Sequence, residues 1–260
     1  MLAGIVIAIA LAGCRGHPQF KAPPKTHQPL SYVQTTPYAT VRLTLAPSVG
    51  ALPGLRFKLY QDGVRELTNF VVQAQGDHLH LAQKGISDPP YKRFIDWTVT
   101  AATPRLAGAE QTWFDDTGGV HPNHGAKGLI WDTLGDIQIP RTDLFKSDVD
   151  PALLDQTLCN AVKVARARRM GPQAAAVLGA SWPCPKWAET ELTLAPSTIK
   201  GKIGGLTFLF DPYVLGAYAD GGYAVTVPVS AFHFWLSPTW ASEFAGDPAP
   251  PPPAPLAPKR

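Results

Sequence analysis

The sequence predicts an α+β fold with a largely antiparallel sheet, and three stretches carry that expectation. The first is 206–230, LTFLFDPYVLGAYADGGYAVTVPVS, where two alternating apolar runs flank a loop punctuated by Gly216, Gly221 and Gly222. Alternation at period two marks a half-buried strand, and Pro212 interrupts the pairing because it has no N–H to donate. The second is the short turn at 134–136 between apolar runs at 127–132 and 137–139, which reads as a hairpin. The third is one well-marked helix at 150–171, capped by Asp150, with Pro151 in its first turn and Gly171 at its end. Strands interrupted irregularly by helices argue for α+β.

The chain opens with an uncharged apolar run, residues 1–12, too short to span a bilayer, followed by Leu11-Ala12-Gly13-Cys14. Small residues before a cysteine form a bacterial lipoprotein signal, so 1–13 is expected to be removed and Cys14 to carry lipid. The positive start usual in such signals is absent, which points to a translation start upstream of Met1. Lipidation implies export, a membrane-tethered N-terminus at the periplasmic or outer-membrane face, and an oxidising compartment. Residues 14–37 mix basic residues with five prolines and show no apolar period, so they read as a flexible tether. Residues 245–260 are mostly proline and alanine and read as an extended, disordered tail.

Between these ends, 38–244 forms the folded part, with sub-parts expected at about 38–125 and 126–244. Residues 38–45 alternate as a strand. A helical stretch from Pro53 to Ala74 carries Leu55, Leu59, Leu67, Phe70 and Val71 on one face, with Gly63 weakening its middle. His78-Leu79-His80-Leu81-Ala82 alternates and reads as a strand. Residues 93–100 and 111–116 pair through Thr103-Pro104. In the helix after Asp150, the stripe is Leu154, Leu158, Ala161, Val162 and Ala165, while Arg166, Arg168 and Arg169 suit the negative end of its dipole. A short alanine-rich helix follows at 172–178, and Ser230 reads as the N-cap of a helix over 231–236.

A net charge of +3, with no basic block interleaved with aromatics, argues against nucleic acid as a partner. Cys159 and Cys184 remain after lipidation, and in an exported protein a disulfide is the default for such a pair, a metal pair or a reactive thiol being the alternatives. No cofactor motif is present.

The turn Gly118-Gly119-Val120-His121-Pro122-Asn123-His124 is the second strong motif. At least one of its glycines is expected at positive φ, and His121 is expected to hydrogen-bond within a buried turn and hold it. The turn is followed by a strand ending in Asp132, by Leu134-Gly135, and by Asp143-Leu144-Phe145; further on come Phe210-Asp211-Pro212-Tyr213, Gly216, Tyr218-Ala219 and Gly221. In these motifs, over roughly 38–240, the chain resembles the extracytoplasmic domain shared by RsiV-type anti-sigma factors and PdaC-type peptidoglycan deacetylases, with Val120 in place of the usual alanine. The resemblance implies an outward-facing domain that in RsiV-type proteins binds lysozyme and in PdaC-type proteins precedes the catalytic domain. The chain is expected to hold neither a spanning segment with a cytoplasmic portion nor a deacetylase domain. It is therefore expected to be a non-catalytic binding module, with lysozyme, peptidoglycan or another envelope component as partner.

Tyr213, Tyr218, Tyr223 and Trp235 are the candidate binding surface. The alternative is a metal-dependent envelope hydrolase, in which His78 and His80 meet His121 and His124 beside Asp115 and Asp116. Ser181, Ser230 and Ser237 lack any nucleophile context.

Overall fold

The computed structural model describes residues 28–179 and 182–250. The lipidation site at Cys14, the remainder of the signal, Ser181 and the last ten residues lie outside them.

Six strands form the first sheet in chain order: β1 (Ser31–Thr35), β2 (Ala39–Leu45), β3 (Tyr91–Ala102), β4 (Leu106–Asp116), β5 (Asn123–Asp132) and β6 (Ile137–Ile139). Neighbours are antiparallel except β2 and β3, which run parallel because α2 (Pro53–Gln83) crosses between them, after the single turn of α1 (Pro47–Gly50). Helix α2 packs on one face of the sheet, with Leu55, Leu59, Leu67 and Phe70 buried against Val41, Leu43, Ile95 and Ala109. Gly63, which looked like a weakness, is a point of close approach: a Cβ there would lie 2.9 Å from both terminal methyls of Leu43.

Helices α3 (Pro151–Met170) and α4 (Pro172–Gly179) lead to a second, antiparallel sheet of β7 (Glu191–Pro196), β8 (Ile203–Phe210) and β9 (Tyr223–Pro228). Leu154, Leu158 and Val162 of α3 bury against Leu206, Phe208, Val225 and Val227. Asp150 caps α3 as expected, its carboxylate accepting from Ala152 N. The two sheets meet where β7 crosses the face of β4 and β5 opposite α2. Two glycines make that approach possible. A Cβ on Gly108 would lie 2.6 Å from Leu194 N, and one on Gly128 2.0 Å from Leu192 O.

Several expectations are corrected. The fold begins inside the expected tether, because the Ser31–Thr35 strand pairs along β2. It also runs past 244: Ala245 N donates to Ile203 O and Ala249 N to Pro196 O. The first sheet ends at Ile139, so the division between sub-parts falls near 140 and not at 126. His78 to Ala82 lies in the last turns of α2, where the helical period places His78 half-buried beside Tyr38 and Tyr91 and leaves Leu79 exposed. Ser230 sits within a 3-10 turn, Val229–Ala231, and a second turn covers His233–Trp235. Phe232, buried against Phe145 and Phe244, breaks the two apart.

Cys159 and Cys184 form a disulfide across 25 residues, tying the segment before β7 to α3. In the chain-entropy model, closing that loop contributes about 3 kcal/mol. The double substitution Cys159→Ser, Cys184→Ser should lower unfolding stability by about that amount in denaturant titration. An unchanged midpoint would show that the α3 contacts alone hold the segment.

Candidate functional site

The turn of 117–122, between β4 and β5, and the loop of 211–222, between β8 and β9, are far apart in sequence and meet in space. Tyr218 joins them: its hydroxyl donates to Pro122 O at 2.6 Å, and the His121 ring stacks on it with centroids 3.9 Å apart. His124 meets the same ring edge-on at 5.7 Å, and Tyr213 lies 5.5 Å away. His121 and His124 are exposed, as is Tyr213, while Tyr218 is half-buried. His121 Nδ1 approaches Pro122 O at 3.1 Å, so the ring does bond within its own turn. The turn is nevertheless open to solvent, which corrects the expectation of a buried one. An exposed hydrogen bond is exchanged for water at little cost, so His121→Ala is expected to change stability little. Its effect falls on the surface that it builds.

The loop is fastened from beneath. Asp211 Oδ1 accepts from Ala126 N at 2.8 Å, and its carboxylate fits only because Gly125 has no side chain, a Cβ there falling 2.2 Å from that oxygen. Trp182 Nε1 donates to Tyr213 O at 3.2 Å. Arg166 of α3, almost fully buried, donates from Nε to Leu215 O and from one terminal nitrogen to Trp182 O. Arg169 donates to Asp220 O and Gly222 O with its guanidinium 3.6 Å from the centre of the Tyr223 ring. Within the loop, Asp220 Oδ2 accepts from Ala217 N at 2.9 Å, packed where a Cβ on Gly216 would intrude, and Gly221 takes φ +70°. Tyr213 itself sits at φ +73°, the left-handed region that costs a residue with a Cβ on the order of 1 kcal/mol or more. The anchors on either side hold it there. Pro212 ends the β8 ladder just before it.

In the turn, Gly118 is the glycine at positive φ (+76°), and a Cβ on it would also press on the Asp88 carboxylate at 2.6 Å. Gly119 has room, with only His121 O within contact at 3.8 Å, so the strain expected of an alanine falls on Gly118. Asn123 begins β5 opposite Asp115.

The structure divides the four aromatics proposed as a surface. Tyr213 and Tyr218 share one. Tyr223 is buried beneath it, with Arg169 over its ring, and Trp235 packs against the core around α3. Neither reaches the site, because each is the inward member of its element. The metal reading fares differently again. His78 lies on α2 beside Tyr91, its ring nitrogens 2.8 Å from Ala74 O and 3.1 Å from Pro89 O, and exposed His80 follows it on the same helix. Asp115 is gripped by Arg93 through two 2.7 Å contacts on the α2 face of the sheet. Among the described residues no three His, Cys, Asp or Glu side chains converge as a metal site, and no helix is long and apolar enough to cross a membrane.

No protein-family model matches the chain, and no curated protein matches it in sequence. In three dimensions it is similar to a DUF3298 family protein from Pseudomonas aeruginosa PAO1, 16% identical with a TM-score of 0.58, over 85% of this chain and 99% of that one. It is also similar to a DUF3298 family member from Bacteroides fragilis NCTC 9343, 17% identical with a TM-score of 0.55, over 82% and 94%. At these identities what is shared is the α+β fold.

Proposed function

We propose that the chain is a non-catalytic binding module of the RsiV/PdaC type, held in the bacterial envelope by lipid on Cys14, which takes lysozyme, peptidoglycan or another envelope component on the surface around Tyr218. One observation carries this. The two sequence motifs that bear the resemblance, 118–124 and 211–221, are far apart in the chain, and their aromatic side chains meet at a single ring, Tyr218. Rings held open to solvent by a rigid support suit binding, because little side-chain freedom remains to be lost on contact. The DUF3298 fold likeness supports the reading without naming a ligand.

The test is retention of the purified domain on peptidoglycan sacculi and on immobilised lysozyme, beside fractionation of the full-length chain. Tyr218→Ala should weaken retention on the true partner about tenfold, the cost of one central aromatic contact. Cys14→Ser should move the full-length chain out of the membrane fraction. Equal retention of wild type and Tyr218→Ala would remove the site, and a normally processed Cys14→Ser protein still in the membrane would remove the anchor.

A further inference from the structure

The strand register extends the aromatic surface well beyond its two loops. On the face of the first sheet that α2 does not cover, Arg42, Phe94, Phe114 and His124 stand opposite one another on β2, β3, β4 and β5. The guanidinium of Arg42 lies 4.8 Å from the Phe94 ring centre, and Phe94 and Phe114 are stacked at 5.7 Å with planes 16° apart. His124 then meets Tyr218, and Tyr218 meets Tyr213. Three strand spacings of about 4.8 Å give a line of roughly 14 Å before Tyr218 is reached. The second sheet packs on this face at Gly108, Gly128 and Thr100, and Asp211 reaches it at Ala126, while the line itself stays accessible: Phe94 and Phe114 are half-buried, and Arg42 and His124 are exposed.

The borders of the line say what it fits. On one side the register places Thr44, Asp96 and Thr112 in a row, and on the other Thr40, Lys92 and Asp116. The charges in these rows are matched, Arg42 with Asp96 at 3.2 Å and Lys92 with Asp116 at 3.6 Å. The surface is thus a strip one side chain wide, two phenylalanines between an arginine and a histidine, edged on both sides by polar groups whose charges are already paired. A protein partner draws its affinity from a compact, fully desolvated centre, which a single file of rings does not provide. A chain of pyranose rings has the complementary form. Its axial C–H groups are apolar and weakly positive, suited to contact with aromatic rings, and its hydroxyls project along both edges.

We propose that this strip and the Tyr218 surface form one continuous track for a linear, uncharged glycan laid across strands β2 to β5. The proposal rests on reading the chain as a binding module and names its ligand class. The test is calorimetric titration of the purified domain with cellohexaose and chitohexaose, each beside its trimer. A hexamer should bind more tightly than the trimer. Phe114→Ala should lower hexamer affinity about tenfold, toward that of the trimer, with Phe114→Tyr restoring it. The rescue, with a melting curve for each variant, separates a lost ring face from a damaged sheet. Hexamer binding that Phe114→Ala leaves unchanged would overturn the track and confine the ligand to the loops. Failure of both hexamers alongside retention on lysozyme would overturn the glycan while leaving a protein-binding module. If hexamers, sacculi and lysozyme all fail, the binding reading itself falls.

Discussion

Gly128→Ala is expected to destabilise the protein by more than about 3 kcal/mol, the upper end of what overpacking usually costs. The added Cβ would lie 2.0 Å from Leu192 O and 2.3 Å from Leu192 C, both backbone atoms, so no side-chain rotation can relieve the clash. One sheet would have to move off the other. That movement opens the packing of Leu192 and Leu194 against Ile130 and Leu106, all buried, and pulls Gly128 N from Glu191 Oε2, now 3.1 Å away. Gly76 supplies the control. It lies within α2 with nothing inside 4 Å of its would-be Cβ, so alanine there should stabilise by about 0.5–1 kcal/mol through helix propensity. Urea titration of both variants reads the difference. A Gly128→Ala protein within about 1 kcal/mol of wild type would mean that the sheets separate cheaply and that the joint is not close-packed.

This joint shows where sequence reading stops. The alternating runs at 206–210 and 223–229, the hairpin at 134–136 and the capped helix at 150–171 were legible because their periods and punctuation are local. Gly128 was not, because an isolated glycine in an apolar strand looks the same whether it faces water or another backbone. Strand β7 is hard to read for another reason: Glu191-Leu192-Thr193-Leu194 alternates, but the run is short and stops at Pro196, and the alternation hides that both faces are buried from Leu192 to Ala195. Strand β1 alternates only weakly, being an edge strand among prolines, and so reads in sequence as tether. In the site, the glycine turn and Tyr213 were visible as motifs, and so was Tyr218. What no local pattern could reveal was that Tyr218 reaches Pro122 O, 96 residues away. Phe94 and Phe114 were hidden for the same reason, since only register places them side by side.

Arg166 is where the two readings diverge furthest, and its loss should be felt at the site. The sequence assigns Arg166 and Arg169 to the helix dipole. In the structure they staple the aromatic loop to α3. Arg166 is only 3% exposed and has no carboxylate partner among the described residues; the carbonyls of Leu215 and Trp182 accept from Nε and one terminal nitrogen, the other terminal nitrogen is buried without a partner among them, and burial lowers its pKa. Arg166→Met would keep much of the volume but leave both carbonyls without a donor. Hydrogen bonds to a charged group contribute about 1.5–3 kcal/mol each, and removing a buried charge returns part of that, so a net loss of about 3 kcal/mol is expected. The location of the damage is the sharper readout. Leu215 is buried while its neighbours Tyr213 and Val214 are exposed, so freeing its carbonyl unfastens the segment that holds Tyr213 at positive φ. Hydrogen exchange should therefore accelerate across 211–222 and not across β3 or β4, and retention on the partner should fall as far as in Tyr218→Ala. Lysine should not rescue it, because one ammonium cannot span two carbonyls as the planar guanidinium does. If Arg166→Met loses stability but keeps full retention, the arginine serves the core alone, and the loop owes its shape to Asp211 and Trp182.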